Sequence, residues 1–198
     1  EGECELRITA KAPTEAEARA LIAPVEEELR ALFGHKIYGA DISSLEEAVF
    51  ALLRERGLTL GSAESCTGGL IAKRMTDLPG SSAVFRGGVV SYTNAVKEGV
   101  LGVPHALLEE YGAVSEPVAR AMAEGARRVL GCDIAVSTTG VAGPDSDDRG
   151  NPVGLVYVAI ATPEGTRVRE LHAGSGRERV RTAAAHNAFD LVRRYLTK

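Results

Sequence analysis

Residues 58–69 read Leu58-Thr-Leu-Gly-Ser-Ala-Glu-Ser-Cys-Thr-Gly-Gly, and Leu70-Ile-Ala-Lys-Arg-Met-Thr follows. An apolar strand over 58–63 runs through small residues into a helix over 68–76, the repeating step of an α/β sheet. The same alternation continues downstream. The pattern predicts a strand over 86–92, short helices over 93–101 and 104–111, and a longer helix over 116–130. An apolar strand over 134–139 leads into a polar loop at 142–151. Strands over 153–161 and 166–172 flank Thr162-Pro-Glu-Gly, a hairpin signal, and a closing helix runs from Arg177 to about Leu196. The expectation is a three-layer α/β/α sandwich, its sheet mostly parallel but made mixed by the terminal hairpin.

Upstream, Asp41-Ile-Ser-Ser marks a boundary. Ser43 or Ser44 can cap a helix that places Leu45, Val49, Leu52 and Leu53 on one face and ends at Gly57. Residues 5–10 alternate apolar and polar side chains as a half-buried strand does. Pro13 and Thr14 open a helix carrying Leu21, Ile22, Val25, Leu29 and Leu32, Gly34 stops it, and 35–40 reads as a second strand. This β-α-β piece is small for an independent domain. With Glu1 rather than Met at its start, the chain reads as a fragment of a longer polypeptide. The expected division is 1–41 and 42–198.

Hydrophobic residues at 44% and charged residues at 25% describe an ordinary globular composition, and a net charge of −4 leaves no basic footprint for nucleic acid. No apolar run approaches the roughly 20 residues of a membrane span, and no signal peptide is present. Cys4, Cys66 and Cys132 form no CxxC pair, which suits a reducing cytoplasm better than a disulfide framework. The histidines His35, His105, His172 and His186 lack metal-ligand spacing with one another or with the cysteines.

Four segments carry chemistry. In 62–69, small residues let backbone approach a ligand, and the following helix N-terminus offers N–H groups to an anion. Ser65, Cys66 and Thr67 are three possible nucleophiles there. The same residues read equally well as an N-cap and tight turn, and Glu64 as dipole chemistry. In Ser91-Tyr-Thr-Asn-Ala-Val-Lys, Lys97 lies one turn into a short helix and is a base only if its pKa is depressed. Ser137-Thr-Thr-Gly-Val-Ala-Gly-Pro-Asp takes a strand into a loop where open α/β sheets bind ligands. Asp145, Asp147 and Asp148 invite a metal, but an EF-hand alignment puts Arg149 and Val156 at ligand positions, so a solvated acidic loop is the better reading. Finally Arg177 and Arg181, four apart at the start of the last helix, suit a phosphate or a solvated face.

In this order the segments resemble the C-terminal domain of the CinA family, the nicotinamide-nucleotide amidases. The matching residues are Ala63-Glu-Ser-Cys-Thr-Gly-Gly, Gly80-Ser-Ser, Ser91-Tyr-Thr-Asn, Lys97, Gly112-Ala-Val-Ser-Glu-Pro, Thr139-Gly-Val-Ala-Gly-Pro-Asp and Pro152-Val-Gly, and the resemblance covers about 43–198. Residues 1–41 resemble the end of the family's KH-like middle domain. The resemblance implies hydrolysis of the carboxamide of nicotinamide mononucleotide to nicotinic acid mononucleotide and ammonia, with no cofactor and no metal. By position Ser65 matches the nucleophile, Lys97 the catalytic lysine, and Tyr92 and Thr139 assisting residues. Glu64, Cys66, Thr67, Gly68, Gly69, Gly140, Arg177 and Arg181 are expected around the substrate. Assembly as a dimer or larger homo-oligomer is implied as well. A phosphate-binding module without turnover is the alternative. RNA binding through the KH-like piece ranks last, because no Gly-x-x-Gly clamp loop is intact.

Overall fold

The computed structural model describes residues 3–174 and 176–198. The chain divides into two compact units, with the boundary in the sequence between Ser43 and Ser44.

In the first unit, helix α1 (Glu15–Phe33) begins at Thr14, whose side chain accepts from the Glu17 N–H while the Glu17 carboxylate accepts from the Thr14 N–H. This reciprocal capping box satisfies two orphan donors. Gly34 ends the helix, as expected. The strands expected over 5–10 and 35–40 do not form. Residues 34–36 make a single 3-10 turn, and no ladder joins the two segments among the described residues. Alternating side chains permit a strand, but only a hydrogen-bonded neighbour makes one, and a lone pair of strands is marginal in water. The apolar side chains Leu6, Leu21, Val25, Leu32 and Phe33 remain exposed.

The second unit opens with α2 (Leu45–Arg56), capped by Ser44 and ended by left-handed Gly57. Then come β1 (Leu60–Glu64), α3 (Leu70–Thr76), β2 (Phe85–Val90), α4 (Asn94–Gly99), α5 (His105–Tyr111) and α6 (Glu116–Leu130). Strands β3 (Ile134–Gly140), β4 (Leu155–Thr162) and β5 (Gly165–His172) and helix α7 (Arg177–Leu196) complete it. The strand order is β2-β1-β3-β4-β5. Strand β1 is parallel to both its neighbours, while β4 is antiparallel to β3 and to β5. Four of the five strands therefore run the same way, and the reversal at β4 makes the sheet mixed.

On one face α6 lies over β1, β3 and β4. Its Val118, Met122 and Ala126 pack with Ala63, Ala135, Leu101, Val103 and Leu108. Gly125 lets the helix approach the Leu101 carbonyl, where any Cβ would collide. On the other face α7 packs on β3, β4, α2 and α3. The connection leaving β1 goes to the α7 face through α3, and the one leaving β2 goes to the α6 face through α4 and α5. Loops departing to opposite faces open a crevice at the carboxyl ends of the strands, where such sheets bind ligands.

Candidate active site

Register places the chemistry at that crevice. Glu64 pairs with Val90 on β2 and with Thr138 on β3, so Ser65 follows beside Ser91 on one side and Thr139 on the other. The turn after Ser65 is tight. Its N–H donates to the Thr138 carbonyl at 2.9 Å, its own carbonyl accepts from Gly68, and Gly68 and Gly69 have φ of +57° and +93°. Only glycine adopts this pair of conformations without strain.

Lys97 reaches the same point from α4. It is among the largest of the fully buried side chains, 1% exposed. Its Nζ lies 3.1 Å from Ser65 Oγ and donates to the Ser91 carbonyl at 2.8 Å. Burial pulls its pKa from the ordinary 10.5 down to about 8, a pull only partly offset by the charge of the Cys66 thiolate were it to form. A lysine so placed has a substantial neutral fraction near neutral pH and can take a proton from the hydroxyl beside it.

The competing nucleophiles are poorly placed. Burial pushes the Cys66 thiol up to about 12, so no thiolate is available, and an inert thiol is the outcome of apolar surroundings. Thr67 is buried with Oγ1 in a 2.7 Å hydrogen bond to Thr138 Oγ1. The backbone N–H groups of Cys66 and Thr67, by contrast, enter no backbone–backbone hydrogen bond among the described residues and lie in the turn that carries Ser65.

Glu64 follows the helix-dipole reading rather than the substrate contact that the resemblance implies. Its carboxylate is fully buried and accepts from the N–H groups of Ile71 and Ala72 at 3.0 and 2.9 Å and from Ser62 Oγ at 3.2 Å. The N–H groups that 62–69 was expected to offer to an anion are thus already satisfied by the chain's own carboxylate, which faces the α3 N-terminus instead of the crevice. Thr139 is also committed: its Oγ1 donates to the Ala113 carbonyl at 2.6 Å and ties the end of β3 to the segment before α6. Gly140 ends β3 where a Cβ would strike the Leu155 carbonyl, so it serves close strand packing.

The two arginines separate into different tasks. Arg181 donates Nη2 and Nε to the Thr67 carbonyl at 2.7 and 3.3 Å and so braces the Ser65 turn from α7. Arg177 is exposed and spans the crevice: Nη2 donates to Tyr92 Oη at 2.9 Å and Nη1 to the Gly143 carbonyl at 3.0 Å. Tyr92 is itself 57% exposed. Gly176 precedes α7, and among the described residues no side chain caps the first turn of that helix beside Arg177.

Three participants were not legible as side-chain motifs. The Ser91 and Gly143 carbonyls act through backbone. Arg149 docks its guanidinium on the last carbonyls of α5, those of Leu108, Glu109 and Glu110, and so fixes the 141–154 loop. Its charge at a helix C-terminus is the signal that could have found it. Asp147, one of the acidic residues considered for a metal, accepts from the N–H groups of Arg149 and Asn151 and from Asn151 Nδ2. Among the described residues no group of three His, Cys, Asp or Glu side chains is placed to hold a metal ion. A depression of about 230 Å³ lined by Glu124, Arg127, Arg128, Cys132 and Thr166 contains neither Ser65 nor Lys97.

No helix among the described residues is long and apolar enough to cross a membrane. The family model of the CinA C-terminal domain matches residues 42–196, and that of the damage-inducible protein CinA KH domain matches residues 1–39. A putative competence-damage inducible protein of Caldanaerobacter subterraneus is 50% identical over 196 residues, covering 99% of this chain and 47% of that protein. A CinA-like protein of Synechococcus is 51% identical over 197 residues, covering 98% of this chain and 47% of its own length. The chain thus spans about half the length of these curated relatives. The crystal structure of competence/damage inducible protein CihA from Agrobacterium tumefaciens superposes with a TM-score of 0.75 at 38% identity, covering 82% of this chain and 99% of that one. A CinA superfamily protein from Escherichia coli gives a TM-score of 0.72 at 30% identity, covering 84% and 98%. The match across nearly the whole chain places it in a family: the protein belongs to the CinA family.

Proposed function

We propose that this chain is an amidohydrolase that converts nicotinamide mononucleotide to nicotinic acid mononucleotide and ammonia, with Ser65 as nucleophile and Lys97 as base. The observation that carries the reading is the buried Lys97 amine 3.1 Å from Ser65 Oγ with its pKa drawn down to about 8. Neutral Lys97 takes the Ser65 proton as Oγ attacks the carboxamide carbon. The oxygen that becomes negative is met by the backbone N–H groups of Cys66 and Thr67, donors fixed in place before the reaction. Collapse breaks the C–N bond, the nitrogen leaves as ammonia with the proton from Lys97, and water, deprotonated by Lys97, releases the acid.

The substrate phosphate falls to Arg177 and the open first turn of α7, a guanidinium and helix N–H groups together binding a monophosphate without a cation. Tyr92 orients Arg177, and Thr139 holds the wall beside Ser65. The second reading, a phosphate-binding module without turnover, draws on the same Arg177 and α7 but gives Lys97 no task. The test is ammonia release from nicotinamide mononucleotide by this chain and by Ser65→Ala. Turnover reduced at least about a hundredfold in the variant, with the fold intact, supports the serine mechanism. Binding without ammonia release in the unmodified chain favours the module.

A further inference from the structure

Ser91 Oγ is fully buried and has no hydrogen-bond partner among the described residues. A buried hydroxyl left unpaired is costly to the fold, so its retention calls for a reason. Its residue is already part of the site. The Ser91 N–H donates to the Glu64 carbonyl at 2.8 Å, which holds it level with Ser65, and the Ser91 carbonyl accepts from Lys97 Nζ.

The donor inventory of Lys97 supplies the reason. As a neutral amine it has two N–H groups and one lone pair. The lone pair serves Ser65 and one N–H is bonded to the Ser91 carbonyl. Once the Ser65 proton has moved, Lys97 is an ammonium with three N–H groups, buried, and short of one acceptor. The titratable groups around it are engaged elsewhere. Glu64 is bonded to the α3 N–H groups, Cys66 keeps its proton, Tyr92 is bonded to Arg177, and Glu98 on α4 is bonded to His105. The remaining charges, Arg177 and Arg181 on α7, are cations bonded to Gly143, Tyr92 and Thr67. Ser91 Oγ belongs to the residue whose carbonyl already touches Nζ at 2.8 Å, and χ1 gives it three staggered positions from which to meet that amine.

We propose that Ser91 is a positioning residue whose hydroxyl is unpaired while Lys97 is neutral and accepts the third N–H of Lys97 whenever Lys97 is an ammonium, as it is once it has taken the Ser65 proton. This rests on the Ser65–Lys97 reading above and adds to it the group that stabilises the charged base. Loss of that acceptor makes the ammonium less stable, so Lys97 gives up its proton at lower pH and is a weaker base.

The test is the rate of Ser65 sulfonylation by phenylmethylsulfonyl fluoride from pH 6 to 10 in the full chain, Ser91→Ala and Ser91→Thr. One lost hydrogen bond to a charged group predicts a half-maximum about one pH unit lower in Ser91→Ala, restored toward the parent in Ser91→Thr. Thermal melting supplies a second readout that needs no activity. At pH 9, where Lys97 is mostly neutral, Ser91→Ala should melt no lower than the parent, because it removes an unpaired hydroxyl. An unshifted half-maximum, or a clear drop in Tm at pH 9, overturns the proposal. If the parent Ser65 resists the reagent at every pH, the Ser65–Lys97 reading fails and takes Ser91 with it. If Ser65 labels with the expected pH limb but nicotinamide mononucleotide is not hydrolysed, the substrate is wrong and the assignment of Ser91 stands.

Discussion

Replacing Lys97 with methionine should stabilise the fold while stopping the chemistry. A lysine whose pKa in the folded state lies below its unfolded value destabilises the protein at every pH low enough to protonate the unfolded lysine. For Lys97 the interval runs from the ordinary 10.5 down to about 8. The penalty is complete below pH 8, shrinks between pH 8 and 10.5, and is absent above. Its full size corresponds to roughly 3 kcal/mol. Against it stand the bonds to the Ser91 carbonyl at 2.8 Å and to Ser65 Oγ at 3.1 Å, which methionine cannot make. Each is worth about 1 kcal/mol net. The balance at pH 7 is a gain of about 1 kcal/mol for Lys97→Met, or roughly 2–4 °C in Tm for a chain of this length. Above pH 10.5 only the lost bonds remain and the variant should melt below the parent. Calorimetric melting of both proteins from pH 6.5 to 11 reads the difference directly. A variant that melts lower at pH 7, or a difference that ignores pH, would refute the placement of a desolvated amine in this core.

Other perturbations separate binding from support. Arg177→Ala should weaken nicotinamide mononucleotide strongly and nicotinamide riboside hardly at all, read as kcat/KM for the two substrates, because the guanidinium meets only the phosphate. Arg181→Ala removes the brace on the Thr67 carbonyl and should lower kcat for both substrates alike; an effect confined to the mononucleotide would move the phosphate to Arg181. Glu64→Ala leaves two α3 N–H groups and Ser62 unpaired and should cost about 3 kcal/mol, or roughly 6–12 °C in Tm, with KM unchanged. An unchanged Tm with a raised KM would return Glu64 to the substrate. Added EDTA should leave ammonia release unaltered, and dependence on Mg²⁺ would reopen the acidic loop at Asp145–Asp148.

The second unit was legible because its local signals agree. Ser44 begins and Gly57 ends α2 where caps were expected, and the strands expected over 134–139 and 166–172 match β3 and β5. The segments 5–10 and 35–40 misled because alternation says which side chains share a face but cannot supply a neighbouring strand. At the site, the resemblance implied the pair Ser65 and Lys97, but their 3.1 Å approach depends on register and on the entry of α4, which no spacing encodes. Glu64 shows the converse. A carboxylate beside a glycine turn looks like a ligand contact until the N–H groups seven and eight residues on are seen to claim it. Backbone acceptors such as the Ser91 and Gly143 carbonyls carry no residue-type signal at all.

The central claim is that Lys97 acts as a neutral base on Ser65, and the pH dependence of kcat/KM for nicotinamide mononucleotide tests it most directly. With Lys97 at about 8, activity should rise tenfold per pH unit below that value and level off above it, the behaviour of one essential group that must lose a proton. Lys97→Met should lose both the limb and the turnover. A profile that is flat from pH 6 to 9, or a Lys97→Met variant that keeps the parent's rate and limb, would contradict the account.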